Sequence, residues 1–262
     1  MRGDPDPWAT LHGMTQTVLI TGASSGLGEE MARQFAAKGY DLALCARRLD
    51  RLEALRDEIA AAYPDRRVEV RALDVCDDDQ VFSVFQAFRA DFGSLDRIVV
   101  NAGIGKGASL GNGRYDANRE TAMTNFVAVL AQAEAATEIL RDQGRGHLVL
   151  VSSMAAMRGL PKAQTTYAAT KAAVTSLGQG LQADLYGTPI KVTVLHPGYI
   201  VSGMNVVGDD KPRLMATTED GVRAMVDAIE KEKREAFVPP WPWAPLSLVL
   251  KHAPLSVVRK MV

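Results

Sequence analysis

A chain of 262 residues with 47% hydrophobic composition can bury a large core within one domain. Its 30 Lys and Arg against 31 Asp and Glu leave a formal charge of -1, which provides no global basic field for a nucleic acid partner. The two cysteines, Cys45 and Cys76, cannot build a disulfide framework and fit a reducing compartment, so a cytoplasmic protein is expected. No apolar run approaches the roughly 18 residues that a spanning helix requires.

Residues 1–13, "MRGDPDPWATLHG", carry Pro, Gly and Asp without periodicity and read as a disordered extension ahead of Met14. From there short apolar runs, "TVLIT", "DLALCA", "RVEVRAL", "RIVVNAG", "HLVLVSS", "KVTVLHPG" and "AFVPP", alternate with segments of helical length. The runs are apolar almost throughout, as in a parallel sheet covered on both faces. The expected fold is α/β: a doubly wound, Rossmann-type parallel sheet of seven strands in one domain, residues 14–262.

"TGASSGLG", from Thr21 to Gly28, sets Gly22, Gly26 and Gly28 where the first strand gives way to the first helix. Glycines there permit a tight turn and bring backbone N–H groups close to a pyrophosphate at the helix N-terminus. The same glycines could merely end a strand, and the strand–helix context favours the dinucleotide reading. The second strand ends in "CARRLDRL". Ala46 stands where an acid for a ribose 2′-OH is expected, and Arg47 and Arg48 follow as forks suited to a 2′-phosphate, which favours NADP(H).

In "TAMTNFVAVL" Asn125 interrupts an apolar helical run, so its amide either satisfies local backbone or holds a water. "HLVLVSS" ends a buried strand in Ser152 and Ser153, at the sheet edge where ligands bind. A serine there either donates to a substrate carbonyl or caps the next turn. "YAATK" places Tyr167 and Lys171 four residues apart, on one helix face, where an ammonium can favour the phenolate. The four histidines, His12, His147, His196 and His252, have no partners at ligand spacing, and no metal is expected.

Taken in order, these motifs resemble the short-chain dehydrogenase/reductase family in its single-domain form, over Met14 to about Val238. The resemblance implies that Gly22, Ser24, Ser25, Gly26, Leu27 and Gly28 form the cofactor loop, with "LDV" (Asp74, Val75) against the adenine. It also implies cofactor contacts from "NAG" (Asn101, Ala102, Gly103), from Tyr167 and Lys171, and from Pro197, Gly198, Ile200 and Ser202 in "HPGYIVSGM". Tyr167 is then the general acid–base, Lys171 lowers its pKa and holds the nicotinamide ribose, Ser153 orients the carbonyl oxygen, and Asn125 supports a water relay. The family usually spaces its serine and tyrosine by 13 residues. Here Ser153 lies 14 before Tyr167, which implies one extra residue in "LPKAQTT" and leaves Ser152 as the alternative.

The implied function is hydride transfer between NADP(H) and a carbonyl or secondary alcohol. A non-catalytic NADP(H)-binding sensor on the same fold is the alternative. The helices around Ala128–Ala136 and Ala168–Leu185 are apolar over more of their circumference than one buried face requires, and the resemblance implies a homodimer or homotetramer. The tail 239–262 has an apolar helical pattern from Leu246 to Pro254. It is read as core packing, as a wall of the substrate cleft for a bulky apolar molecule, or as a weak basic foot on an anionic membrane.

Overall fold

In the computed structural model, residues 15–105, 107–201 and 215–259 are described. Seven strands, β1 (Thr17–Thr21), β2 (Asp41–Ala46), β3 (Val68–Ala72), β4 (Arg97–Val100), β5 (Gly146–Val151), β6 (Ile190–Pro197) and β7 (Glu235–Val238), form one parallel sheet in the order β3-β2-β1-β4-β5-β6-β7. β1 shows why the strands read as unbroken apolar runs. Val18 and Ile20 enter one core layer, Leu19 enters the other, and all are fully buried. One layer holds α1 (Gly26–Ala37), α2 (Leu49–Ala62) and α7 (Thr218–Glu230). The other holds α3 (Asp78–Phe92), α5 (Ala128–Gln143) and α6 (Gln164–Asp184).

α4 (Tyr115–Ala122) runs into α5 through a π-helical turn, Met123–Val127, which holds Asn125 fully buried. Two short helices follow β7: α8 (Pro240–His252) and α9 (Leu255–Val258).

Several ends differ from the expected runs, and each has a local cause. β4 stops at Val100 because the N–H groups of Asn101 and Ala102 donate to Thr21 Oγ1, at 3.0 and 3.2 Å. That turns the chain out of the ladder at the carboxyl edge, beside the glycine loop. β7 stops at Val238 before Pro239, which has no N–H to give. The tail helix begins earlier than the pattern from Leu246 suggests. Only Trp241 (φ -101°, ψ 132°) is non-helical within α8; Pro240 stands at the helix start, where N–H groups need no intrahelical partner, while Pro245 is carried inside the helix.

Candidate active site

The carboxyl edge of the sheet carries two adjoining cavities. The larger, about 470 Å³, follows the β1–α1 turn and the ends of β2, β4, β5 and β6. Gly22 and Gly26 there have φ of 67° and 59°, in the left-handed region. A Cβ on Gly28 would lie 2.5 Å from Gly22 O and 2.7 Å from Asn101 Nδ2, and one on Gly22 would lie 2.9 Å from Ala102 Cα. Asn101 Nδ2 also donates to Thr21 O at 2.9 Å, which ties the turn to the end of β4. Ser25, at the N-cap of α1, makes no side-chain cap bond, so the first turn of this 12-residue helix keeps free N–H groups facing its positive end. Gly22 to Leu27, Asp74, Val75 and Asn101 to Gly103 line the cavity; Ala23, buried in the core, is the one exception. Asp74 is held by Cys76 N at 3.0 Å and by its own N–H to Gln80 Oε1 at 2.6 Å.

Ala46 ends β2 at the rim, and Arg47 and Arg48 follow it ahead of α2. Both arginines are exposed. Arg48 Nη2 donates to Ser24 Oγ at 3.0 Å and Ser25 Oγ at 2.7 Å, while Arg47 has no ion-pair partner among the described residues. The lining therefore fits a dinucleotide: room only for glycine where a pyrophosphate backbone would pass, a free helix N-terminus, and two guanidinium groups at the ribose end.

At the other end of this cavity Lys171 is buried and its Nζ donates to Val151 O at 2.9 Å. Burial alone pushes its pKa down to about 8. The ammonium lies 5.9 Å from the centroid of the Tyr167 ring. The phenol shifts opposite to the sequence expectation. Burial raises Tyr167, the Ser153 hydrogen bond opposes that rise, and Tyr199 adds to it. Desolvation, which penalises the charged phenolate, is the largest cause of the rise. A Cβ on Gly103 would sit 3.2 Å from Asn125 Oδ1 and 3.6 Å from Lys171 Nζ, so the "NAG" glycine leaves room between the two side chains.

Asn125 is held by one residue. Its Oδ1 accepts from Ile104 N and its Nδ2 donates to Ile104 O, both at 2.8 Å, so the amide pins the segment after β4. The two serines separate cleanly. Ser152 is buried, with Oγ donating to Lys171 O at 2.8 Å and lying 2.8 Å from Thr175 Oγ1. Ser153 faces the cavities and bonds Tyr167, while its Oγ also accepts from Ala155 N at 3.1 Å. The cavity-facing serine and the turn-capping serine are thus one residue.

The smaller cavity, about 200 Å³, starts at Ser153 and Tyr167 and is walled by Met154, Leu160, Tyr199, Trp243, Leu246 and Leu250. Trp243 packs so closely on Gly198 that a Cβ there would lie 2.1 Å from the indole. Tyr199 meets the same indole edge-on at 5.6 Å. Pro197, Gly198 and Ile200 line the larger cavity; Ser202 lies outside the described residues, as does the extension 1–13. Sequence reasoning missed Tyr199, Met154 and Leu160 as lining residues. It also missed His196, whose Nε2 lies 2.8 Å from Glu235 Oε1 and whose Nδ1 lies 3.3 Å from Ser153 O. Only the aromatic tail gave a signal in advance.

Comparison with known proteins settles the family. The short chain dehydrogenase model matches residues 16–212. The chain belongs to the short-chain dehydrogenase family. An uncharacterized oxidoreductase of Mycobacterium tuberculosis is 50% identical over 251 residues, covering 95% of this chain and 99% of that protein. Among solved structures, the alcohol dehydrogenase of the archaeon Thermococcus sibiricus, complexed with 5-hydroxy-NADP, aligns with a TM-score of 0.76 and 26% identity, over 86% of this chain and 96% of its own. A short chain dehydrogenase from Burkholderia cenocepacia in complex with NADP aligns with a TM-score of 0.75 and 30% identity, over 85% and 94%. This chain is accordingly an oxidoreductase of the short-chain dehydrogenase type.

Proposed function

We propose that the protein is an NADP(H)-dependent carbonyl reductase or alcohol dehydrogenase whose substrate is bulky and apolar. The observation that carries this reading is the junction of the two cavities at Ser153 and Tyr167: a dinucleotide-shaped space on one side and an aromatic, uncharged space on the other. The nicotinamide, when bound, supplies or accepts the hydride. The larger cavity would hold the dinucleotide along the glycine turn, with Arg47 and Arg48 at the 2′-phosphate and Lys171 at the nicotinamide ribose.

In the reductive direction Ser153 donates a hydrogen bond to the carbonyl oxygen as charge grows on it, and Tyr167 delivers its phenolic proton to that oxygen. In the oxidative direction the phenolate takes the proton back. Lys171 pulls against burial by holding a positive charge near the phenol. Asn125, fixed on Ile104, keeps the backbone open at Gly103 beside the lysine. The indole of Trp243 and the side chains of Leu246 and Leu250 exclude water from the reacting end. Val127 and Leu130, exposed on the π turn and α5, support a homo-oligomer of the kind the sequence suggests.

A panel of ketones, aldehydes and alcohols followed by NADPH absorbance tests the reading, with Tyr167→Phe as the blank. Turnover of large apolar carbonyls is expected, falling by roughly 10²–10⁴ in the variant with NADPH affinity kept. NADPH binding without turnover of any substrate returns the chain to a sensor. Arg47→Asp should move the NADPH/NADH ratio of kcat/KM toward NADH by roughly tenfold, and an unchanged ratio removes Arg47 from the 2′-phosphate site.

A further inference from the structure

α8 is apolar on both sides. Trp243, Ser247 and Leu250 are buried against the fold, as expected for one face of a helix. The opposite face shows Pro245, Leu248 and Val249, spaced i, i+3 and i+4, with Trp241 exposed at the kink before them; Trp241, Leu248 and Val249 are 79%, 66% and 59% exposed. α9 extends the pattern with Leu255 and Val257, 73% and 45% exposed, while Ala253 and Val258 tuck beneath and anchor the segment. A surface helix with one buried face normally turns charge outward, so this second apolar face calls for a cover.

The charges around it identify the cover. From Ala236 to Val262 the sequence holds Lys251, Arg259 and Lys260 and no Asp or Glu. Lys251 and His252 end α8, exposed, and Arg259 is exposed after α9. The preceding acid, Glu235, bonds His196 and also feels the charge of Lys251. A second copy of this patch would set Lys251 and Arg259 against their own kind, with no acid of the segment to answer them. An anionic lipid surface offers hydrocarbon and negative charge together, and an exposed tryptophan suits the boundary between them. No helix among the described residues is long and apolar enough to cross a membrane.

We propose that the outer face of α8 and α9 docks on an anionic membrane surface, with Trp241, Leu248 and Leu255 entering the headgroup boundary and Lys251 and Arg259 facing the lipid phosphates. The inner face of the same helix lines the smaller cavity, so docking brings lipid within about one helix diameter, roughly 10 Å, of that cavity.

Flotation of the full-length protein with phosphatidylcholine vesicles, with and without phosphatidylglycerol, tests this at low and high salt. Binding is expected only to the anionic vesicles, and salt should release it. Leu248→Glu with Leu255→Glu should weaken binding roughly tenfold, and Lys251→Glu with Arg259→Glu by a similar factor. Both pairs should keep the wild-type melting temperature, because all four side chains are exposed. If the apolar pair misfolds, the charge pair alone decides. The assignment is overturned by no flotation at low salt, by equal binding to phosphatidylcholine alone, or by a folded charge-reversed variant that still binds. It is equally overturned if light scattering shows a dimer that the apolar variant dissociates while no vesicle is bound.

Discussion

The two cavities that meet at Tyr167 are built by different means. The larger is shaped by backbone: glycines against which no Cβ fits, a threonine hydroxyl holding two N–H groups, and a helix start left uncapped. The smaller is shaped by side chains from the ends of β5 and β6, the start of α6 and the tail helix, with Trp243 resting on Gly198. A backbone-built site tolerates almost no change in shape, whereas a side-chain-built site can be recut one residue at a time. That division suits a scaffold that keeps one cofactor and varies its substrate.

The largest expected effect concerns the one charge buried on the backbone-built side. Lys171 sits at about 8 when folded against an ordinary 10.5. Between those values the unfolded chain binds the proton more tightly, so the cost to folding is full below about pH 8 and disappears as pH rises toward 10.5. Lys171→Met should therefore stabilise the unliganded protein at pH 7 by up to about 3 kcal/mol, less the lost bond to Val151 O, and abolish turnover. Thermal melts from pH 7 to 10 should show the wild type catching up with the variant. Parallel curves would mean that the lysine is not desolvated.

Next in size, Gly28→Ala forces a methyl group to within 2.5 Å of Gly22 O. Its expected cost of about 1–3 kcal/mol should appear chiefly as weaker NADPH binding, roughly tenfold or more by fluorescence titration. The smallest effect is that of Gly198→Ala, which displaces the Trp243 indole instead of backbone. It should lower kcat/KM for bulky carbonyls by a factor of roughly five, about 1 kcal/mol, and change that for small ones less. If Gly198→Ala harms NADPH binding more than bulky-substrate turnover, the two cavities do not work as separate parts.

The same contrast decides what could be read from the sequence. Backbone requirements leave marks in contiguous residues, so the strand–glycine–helix turn and the seven strands of a parallel sheet were legible, as was the shared face of Tyr167 and Lys171. Side-chain walls leave no such mark. Tyr199 and Trp243 are distant in sequence and meet only because β7 returns the chain beside β6. Ser152 and Ser153 are indistinguishable as letters; they part because successive side chains of an extended segment point to opposite sides, one to Thr175 and one to Tyr167. The direction of the phenol's shift was misjudged because spacing reveals a neighbouring charge but not the loss of water around it. The start of α8 was missed because prolines read as breakers, although Pro240 stands where a helix start accepts it and Pro245 is carried inside the helix.

The π-helical turn at Met123–Val127 has a consequence for what this chain can lose. One surplus residue in a turn rotates everything after it by about 100° relative to an unbroken helix. Before the turn, α4 aims Asn118 so that its Oδ1 accepts from Ala108 N and from the Thr166 hydroxyl at the head of α6, both at 3.0 Å. After it, α5 lays Val129, Ala133, Ala136 and Leu140 against the sheet. The two halves are out of phase, and the surplus residue is what lets each face its own partner. Deleting any one residue from 123–127 would bring them into phase, so that either Asn118 and Asn125 swing off their loops or α5 rolls its apolar stripe away from the sheet. Conservative exchanges of side chains within this turn leave the phase intact; changes in its length do not.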